Sequence, residues 1–266
     1  MKGRVLIIAG SDSGGGAGIQ ADIKTVTMLD AFAMTAVTAL TAQNTEGVFG
    51  VLPIPPDFIR QQIEIVLDDI GADALKTGML HDAVVIETVA AVISERAAAV
   101  PLVVDPVMVA KGGAPLIEKG AIDTLKRLLL PRAAVLTPNL PEAEILAGHT
   151  IGDLAAMRAT ARELLALGCR AVLLKGGHLP GDTVYDVLAT AAGLRVWDSP
   201  RIESRHTHGT GCTLASAVAA GLAQGMAIEP AVDRARLYVQ RAIASAPGLG
   251  HGHGPLDHAH PLHSQP

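Results

Sequence analysis

The sequence predicts a single α/β domain: a mostly parallel central sheet in a three-layer α/β/α fold, with helices on both faces. Three observations carry this. Short, wholly apolar runs alternate with amphipathic segments from end to end, the mark of buried parallel strands joined by helices. Each run is followed by glycine or a polar residue, where such sheets hold their ligands. The 266 residues, 49% hydrophobic and 18% charged, suit one large core.

The first strand is expected at 5–9, followed by Gly10-Ser11-Asp12 and a helix over 17–29. A second strand at 35–40 precedes Gln43-Asn44-Thr45. A helix at 57–69 leads to a strand at 74–77 and then Gly78-Met79. Helix 83–95 precedes strand 102–105, which ends in Asp105-Pro106; helix 118–129 precedes strand 134–137, with Pro138-Asn139 beyond it. Helix 153–167 precedes strand 171–175, then Gly176-Gly177-His178. Strands 184–188 and 194–197, joined through Gly193, read as an antiparallel excursion. Helices 212–223 and 230–245 follow. From His251 the chain is rich in Gly, Pro and His and is expected to end as a loop. The domain is bounded at 1–258, with a tail over 259–266.

Composition excludes several classes. A net charge of −5 leaves no basic footprint, and 2% aromatics leave no stacking platform, so nucleic acid is not an expected partner. No apolar run reaches membrane-spanning length, and the N-terminal run is too short for a signal peptide. Two cysteines far apart, Cys169 and Cys212, suit a reducing compartment. A cytoplasmic location is expected.

Thr207-His208-Gly209-Thr210-Gly211-Cys212 runs straight into an alanine-rich helix. The first turn of a helix carries unpaired N–H groups and the positive end of the macrodipole, so it draws anions. A cysteine there is expected to have a lowered pKa and to serve as base or nucleophile. Ser13-Gly14-Gly15-Gly16-Ala17-Gly18 has the composition of a second phosphate cradle, and Gly16, Gly18 and Ala21 satisfy a relaxed dinucleotide pattern. No acid closes the second strand, since Glu46 lies beyond it. A tight turn therefore outweighs a dinucleotide site by roughly three to one. Asp22, in the helix after this loop, reads on its own as a favourable helix-dipole charge. No Walker A sequence occurs.

Asp105 at one strand end and Glu142 near the next form a pair able to share Mg²⁺ through water. The competing reading of Asn139 and Glu142 is an N-cap with an acid three positions on, and taken alone capping wins. Lys175 places a cation at the same rim, although a single lysine there is ordinarily a solvated strand end. Cys169 reads as inert packing. His251, His253, His258, His260 and His263 could bind a transition metal, and their irregular spacing in a glycine-rich tail favours an adventitious site over a structural one.

Taken in order, these blocks resemble the ribokinase-like small-molecule kinases. Within them they resemble most closely the hydroxymethylpyrimidine and phosphomethylpyrimidine kinases. The resemblance rests on Ala9-Gly10-Ser11-Asp12-Ser13-Gly14-Gly15-Gly16-Ala17-Gly18-Ile19-Gln20-Ala21-Asp22, Thr41-Ala42-Gln43-Asn44-Thr45 and Lys76-Thr77-Gly78-Met79-Leu80. It continues through Asp105-Pro106-Val107-Met108-Val109-Ala110-Lys111, Thr137-Pro138-Asn139-Leu140-Pro141-Glu142, Leu174-Lys175-Gly176-Gly177-His178 and Gly250-His251-Gly252-His253-Gly254-Pro255-Leu256. Sugar kinases of the superfamily carry Asp where this chain carries Cys212; cysteine is typical of the pyrimidine kinases and of pyridoxal kinases similar to them.

The resemblance implies ATP-dependent phosphorylation of 4-amino-5-hydroxymethyl-2-methylpyrimidine and then of its monophosphate, in thiamine biosynthesis, by a homodimer using Mg²⁺. It implies that Gly209, Thr210 and Gly211 hold the transferring phosphoryl group and that Cys212 is the base. It further implies that Gln43, Gly10, Asp22, Met79 and Val107 line the acceptor pocket. Lys175, Asn139 and Asp105 would serve the nucleotide, and Asp105 and Glu142 the metal. A pyridoxal or dual-specificity kinase is the nearest alternative. A non-catalytic binding protein on the same fold and a dinucleotide oxidoreductase are more distant ones.

Overall fold

The structure, a computed structural model, describes residues 1–109, 116–118 and 120–263. Ten strands lie at β1 Arg4–Ala9, β2 Phe32–Val37, β3 Ala39–Gln43, β4 Val48–Pro53, β5 Ala74–Thr77, β6 Leu102–Val104, β7 Ala133–Leu136, β8 Ala171–Lys175, β9 Thr183–Thr190 and β10 Gly193–Pro200. The helices are α1 Gly18–Met28, α2 Pro56–Asp69, α3 Ala83–Arg96, α4 Ala121–Leu128, α5 Leu140–Ala147, α6 Leu154–Leu165, α7 Thr210–Ala223, α8 Ile228–Ala244 and the short α9 His260–His263.

Eight strands form one sheet in the order β10-β9-β8-β7-β6-β5-β1-β2. Strands β2, β1, β5, β6, β7 and β8 run parallel, and β9 and β10 form the antiparallel excursion at one edge. Side chains alternate across the sheet. Leu6, Ile8, Leu75, Val104 and Leu174 face a core made with α2 to α6. Val5, Ile7, Val103, Val135 and Leu173 face the alanine-rich side of α7, with α1 and α8. Small side chains on α7 let it lie close against the sheet, so its N-terminus opens directly over the strand ends. The chain leaves β1 toward β2 on one side and returns to β5 on the other. That reversal makes the carboxyl end of β1 a topological switch point, where such sheets bind ligands.

Five expectations change. The strand expected at 35–40 is two strands: the chain turns at buried Thr38, whose hydroxyl donates to the Met79 carbonyl at 2.6 Å. β3 leaves the main sheet and pairs antiparallel with β4. β4 was not foreseen because its side chains are mostly exposed and give no burial pattern. α5 was foreseen only as a cap, yet its capping box is complete and Gly148 closes it at φ +81°. Residues 259–263 also pack on the domain: His260 is buried with its ring 4.7 Å from that of Tyr238. The expected helix at 118–129 begins at Ala121, and Ala110, Lys111 and Lys119 lie outside the described residues.

Candidate active site

A cleft of about 790 Å³ opens over the carboxyl ends of the parallel strands, and its wall includes every sequence-predicted site residue except Asp22. Two groups of contacts divide it. Around Gly10, the Met79 side chain lies where a β-carbon on residue 10 would stand, 2.8 Å away. A side chain there would displace the Met79 methyl, and Met79, Gln43 and Val107 join Gly10 in the wall. Around Gly211, the Lys175 ammonium lies 3.1 Å and the Asp105 carboxylate 3.8 Å from where a side chain would start. The mouth of α7 therefore needs small residues to bring its backbone against these charges.

Lys175 is buried rather than a solvated strand end. Its Nζ lies 3.2 Å from Asp105 Oδ1, which also accepts from the Thr137 hydroxyl at 3.1 Å. Burial works against the ammonium, but Asp105 and Glu142 hold the Lys175 pKa above its ordinary value. Glu142 is buried beside them, and burial, reinforced by Asp105 and opposed by Lys175, raises its carboxyl above the usual range. The capping reading of Asn139 and Glu142 holds, with a complete capping box. The Asn139 side chain accepts from the Glu142 N–H at 2.9 Å, and the Glu142 carboxylate accepts from the Asn139 N–H at 2.8 Å. That reciprocal cap fixes Glu142 at the cleft, and a bridge between Asn139 and Lys175 joins it to β8.

Gly209 starts α7 at φ +81°, and a β-carbon there would strike the Gly16 carbonyl at 1.8 Å. No side chain caps this helix; in its first turn the Thr210 N–H donates to the Thr207 carbonyl at 3.4 Å, and the N–H groups of Gly211 and Cys212 are not used by a capping side chain. Cys212 departs from its expectation. Burial pushes the thiol up to about 12, and the pull of Lys76 and of the Gly18 N–H does not offset it. The helix terminus alone predicts an acidic thiol; Cys212 is half-buried in the cleft wall, and desolvation there works the other way.

Asp22 lies beneath the site instead of in its wall. It is fully buried, with Lys76 Nζ at 2.9 Å and the Ser216 hydroxyl at 2.7 Å. Ser216 stands one helical turn after Cys212 in α7, so this triad ties α1, β5 and α7 together under the thiol. Lys76 was not singled out from the sequence, although a lysine inside the apolar run Ala74-Leu75-Lys76-Thr77 was the available signal. Asp12 and His208 were missed as well. Asp12 accepts from the N–H groups of Gly14, Gly16 and Ala17 at 2.8, 3.1 and 2.8 Å, and His208 Nε2 lies 2.9 Å from it. The glycine loop thus points these three donors at its own carboxylate, which favours the tight turn over a phosphate cradle. Burial raises Asp12, but His208 and the N–H groups outweigh it and hold it below the carboxylate range. Among the described residues no group of three or more His, Cys, Asp or Glu is arranged to hold a metal. His258 is instead buried against the Thr213 hydroxyl at 2.9 Å.

A buried lysine–aspartate pair beside an uncapped helix mouth is phosphoryl-transfer architecture without a Walker A loop. A family model described as phosphomethylpyrimidine kinase matches residues 12–257. The chain belongs to the phosphomethylpyrimidine kinase family. It is 49% identical to the hydroxymethylpyrimidine/phosphomethylpyrimidine kinase of Bacillus subtilis over 96% of this chain and 94% of that one. It is 54% identical over 97% of its length to the thiamine biosynthesis bifunctional protein ThiED of Geobacter sulfurreducens, of which it spans 52%. Among solved structures, an ADP complex of Bacillus subtilis pyridoxal kinase superposes with a TM-score of 0.92 at 37% identity, covering all of both chains. A phosphomethylpyrimidine kinase from Clostridium difficile superposes with a TM-score of 0.81 at 40% identity, over 91% of this chain and 100% of that one. The chain is thus a phosphotransferase on the ribokinase-like fold, and its kinase family implies ATP use.

Proposed function

We propose that this kinase transfers phosphoryl groups from ATP to 4-amino-5-hydroxymethyl-2-methylpyrimidine and then to its monophosphate, supplying the diphosphate for thiamine biosynthesis. The observation that carries this is the meeting, in one cleft, of the uncapped mouth of α7 with Lys175, Asp105 and Glu142 opposite the pocket around Gly10. The N–H groups of Gly209, Thr210, Gly211 and Cys212 meet the transferring phosphoryl group, and one such donor is worth roughly 10²–10³ in rate. Lys175 neutralises nucleotide phosphate with Asn139 and Asp105 beside it. Met79 and Val107 hold the flat ring, Gly10 leaves room for it, and Gln43 reads its edge. Asp22 acts from below, by holding Lys76.

Phosphoryl transfer passes through a loose transition state in which the acceptor proton leaves late. Cys212 therefore enters as a neutral thiol that orients the acceptor hydroxyl, whose proton passes to an oxygen of the transferred phosphoryl group as the new P–O bond forms. Asp105 and Glu142 fit Mg²⁺: two oxygen donors without a protein cage suit an ion that keeps waters and nucleotide oxygens. When bound, Mg²⁺ supplies charge neutralisation at the phosphates. Phe49, Leu52, Phe58 and Ile65 are exposed on the β3–β4 hairpin and α2, and this apolar surface supports a homodimer. Two free cysteines are compatible with the cytoplasm.

The test is incubation with the pyrimidine, ATP and Mg²⁺, followed by mass spectrometry for the mono- and diphosphate. The likeness to pyridoxal kinase favours a second reading, a pyridoxal or dual-specificity kinase. A kcat/KM higher for pyridoxal than for the pyrimidine would establish it.

A further inference from the structure

The two acceptors of this kinase differ in charge. The hydroxymethyl group is neutral, whereas the monophosphate carries a charge of about −1.5 to −2 at pH 7. In the second transfer an oxygen of the monophosphate bonds to the γ-phosphorus of ATP. The bond from that phosphorus to ADP breaks, and its electron pair stays on ADP. The dianion has no proton to lose, so a neutral thiol that orients a hydroxyl contributes little here. This step needs positive potential instead, because two phosphate groups have to approach each other.

Among the described residues that line the cleft, Lys175 is engaged by Asp105, Arg201 by the carbonyls of 177–181 and Arg236 by Asp186 at 2.7 Å. Lys76 stands at the acceptor end, on β5 two residues before Gly78, and lines the cleft together with Gly10, Met79 and Cys212. The wall beside its ammonium is a glycine: a β-carbon on Gly78 would stand 3.0 Å from Lys76 Nζ. Asp22, the counter-charge at 2.9 Å, is not in the wall and is held by the Ser216 hydroxyl at 2.7 Å. The pair therefore stands on end, with its positive pole at the cleft. Cys212 feels the same polarity, since the pull of Lys76 on it exceeds the push of Asp22. Both side chains of the pair are at 0% exposure, so the ammonium touches no acceptor and works through its field, which salt does little to screen. Stability does not call for such a pair, because hydrophobic side chains of the same volume hold a fold as well or better.

We propose that the Lys76–Asp22 pair is a positioning device for the second phosphoryl transfer, its positive pole beside Gly78 and Cys212 holding the acceptor phosphate. The inference rests on the pyrimidine-kinase reading and deepens it. The attacking oxygen faces Cys212 in both steps, so the phosphate of the monophosphate comes to lie over this pole. Asp22 offsets part of the attraction, and the remainder, acting on a dianion, is worth on the order of tenfold in affinity.

The test uses the whole chain carrying Lys76→Met and Asp22→Asn together, which removes both charges, nearly conserves volume and leaves Ser216 an acceptor. KM and kcat are measured for the pyrimidine and for its monophosphate at saturating ATP and Mg²⁺, with urea unfolding to establish the fold. KM for the monophosphate is expected to rise at least about tenfold more than KM for the pyrimidine. Calorimetry without nucleotide should show the same split between the two ligands. Lys76→Met with Asp22→Leu stands in if the first variant does not fold. Equal changes in KM for both compounds overturn the inference and leave the pair a structural role, as does a folded variant whose KM for the monophosphate is unchanged. A wild type that forms the monophosphate and no diphosphate, or that phosphorylates pyridoxal and neither pyrimidine, overturns the substrate reading and this inference with it.

Discussion

Cys212 sits where α1 and α7 both begin, and still it keeps its proton. Its thiol, pushed up to about 12 by burial, leaves roughly a thousandfold less thiolate at pH 8 than an ordinary cysteine of pKa 9. Iodoacetamide labelling of Cys212 should be correspondingly slow at pH 8 and accelerate only above pH 10, followed by peptide mass spectrometry. Replacing Cys212 with Ala should lower kcat by roughly 10²-fold, through lost positioning of the acceptor hydroxyl, while ATP binding persists, measured by steady-state kinetics and calorimetry. Beneath it, Lys76 and Asp22 form an ion pair with both side chains at 0% exposure. Lys76→Met should cost about 3–5 kcal/mol in urea unfolding, because Asp22 is then buried without its counter-charge. The double variant Lys76→Met, Asp22→Leu should recover most of that loss. At this scale the residue types at the site were legible and their states were not. Cys212, Lys175 and Asp105 stand out in the sequence, but whether a thiol is acidic or a lysine buried depends on the atoms packed around it.

Among the elements, the mouth of α7 depends on backbone that only glycine allows. Gly209→Ala forces a side chain into the Gly16 carbonyl at positive φ, so loss of activity together with a lowered melting temperature is expected. The loop after β8 is organised differently. The Arg201 guanidinium donates to the carbonyls of Gly177, Leu179 and Gly181, wrapping residues 177–181 around one cation at the cleft wall. Arg201→Ala should speed amide hydrogen exchange across 177–182 and raise KM for ATP more than KM for the acceptor. The parallel strands were legible because burial on both faces leaves uninterrupted apolar runs. The β3–β4 hairpin was not, since β4 is mostly solvent-facing. α5 escaped because eight residues with mixed burial carry little periodicity beyond their cap.

For the whole molecule, acid stability is tied to the C-terminal segment. Burial lowers the His258 pKa to about 4, while the unfolded chain takes up that proton near pH 6.5. The unfolded state therefore binds more protons between these values, and stability falls as pH drops from 6.5 toward 4. By pH 5 the loss is about 2 kcal/mol, read as a falling melting temperature that His258→Gln should flatten. The same contacts hold the end of the chain to the domain, through Thr213 on α7 and Tyr238 on α8, whose hydroxyl donates to the His258 carbonyl at 2.7 Å.

The sequence by itself determined the α/β class, the strand ends that carry the site and the family, because each is written in local runs and contiguous motifs. Tertiary structure alone decided that Asp22 lies under the cleft, and that Asp12 and Gln43 are both met by His208. These pairs are separated by 54, 194 and 165 residues for Asp22 with Lys76, Asp22 with Ser216 and Gln43 with His208. No local pattern encodes such meetings; the packing of α1, β3 and β5 around α7 and its mouth makes them. The protonation state of Cys212 belongs to the same class, since desolvation is a property of the assembled walls rather than of the helix that bears the thiol.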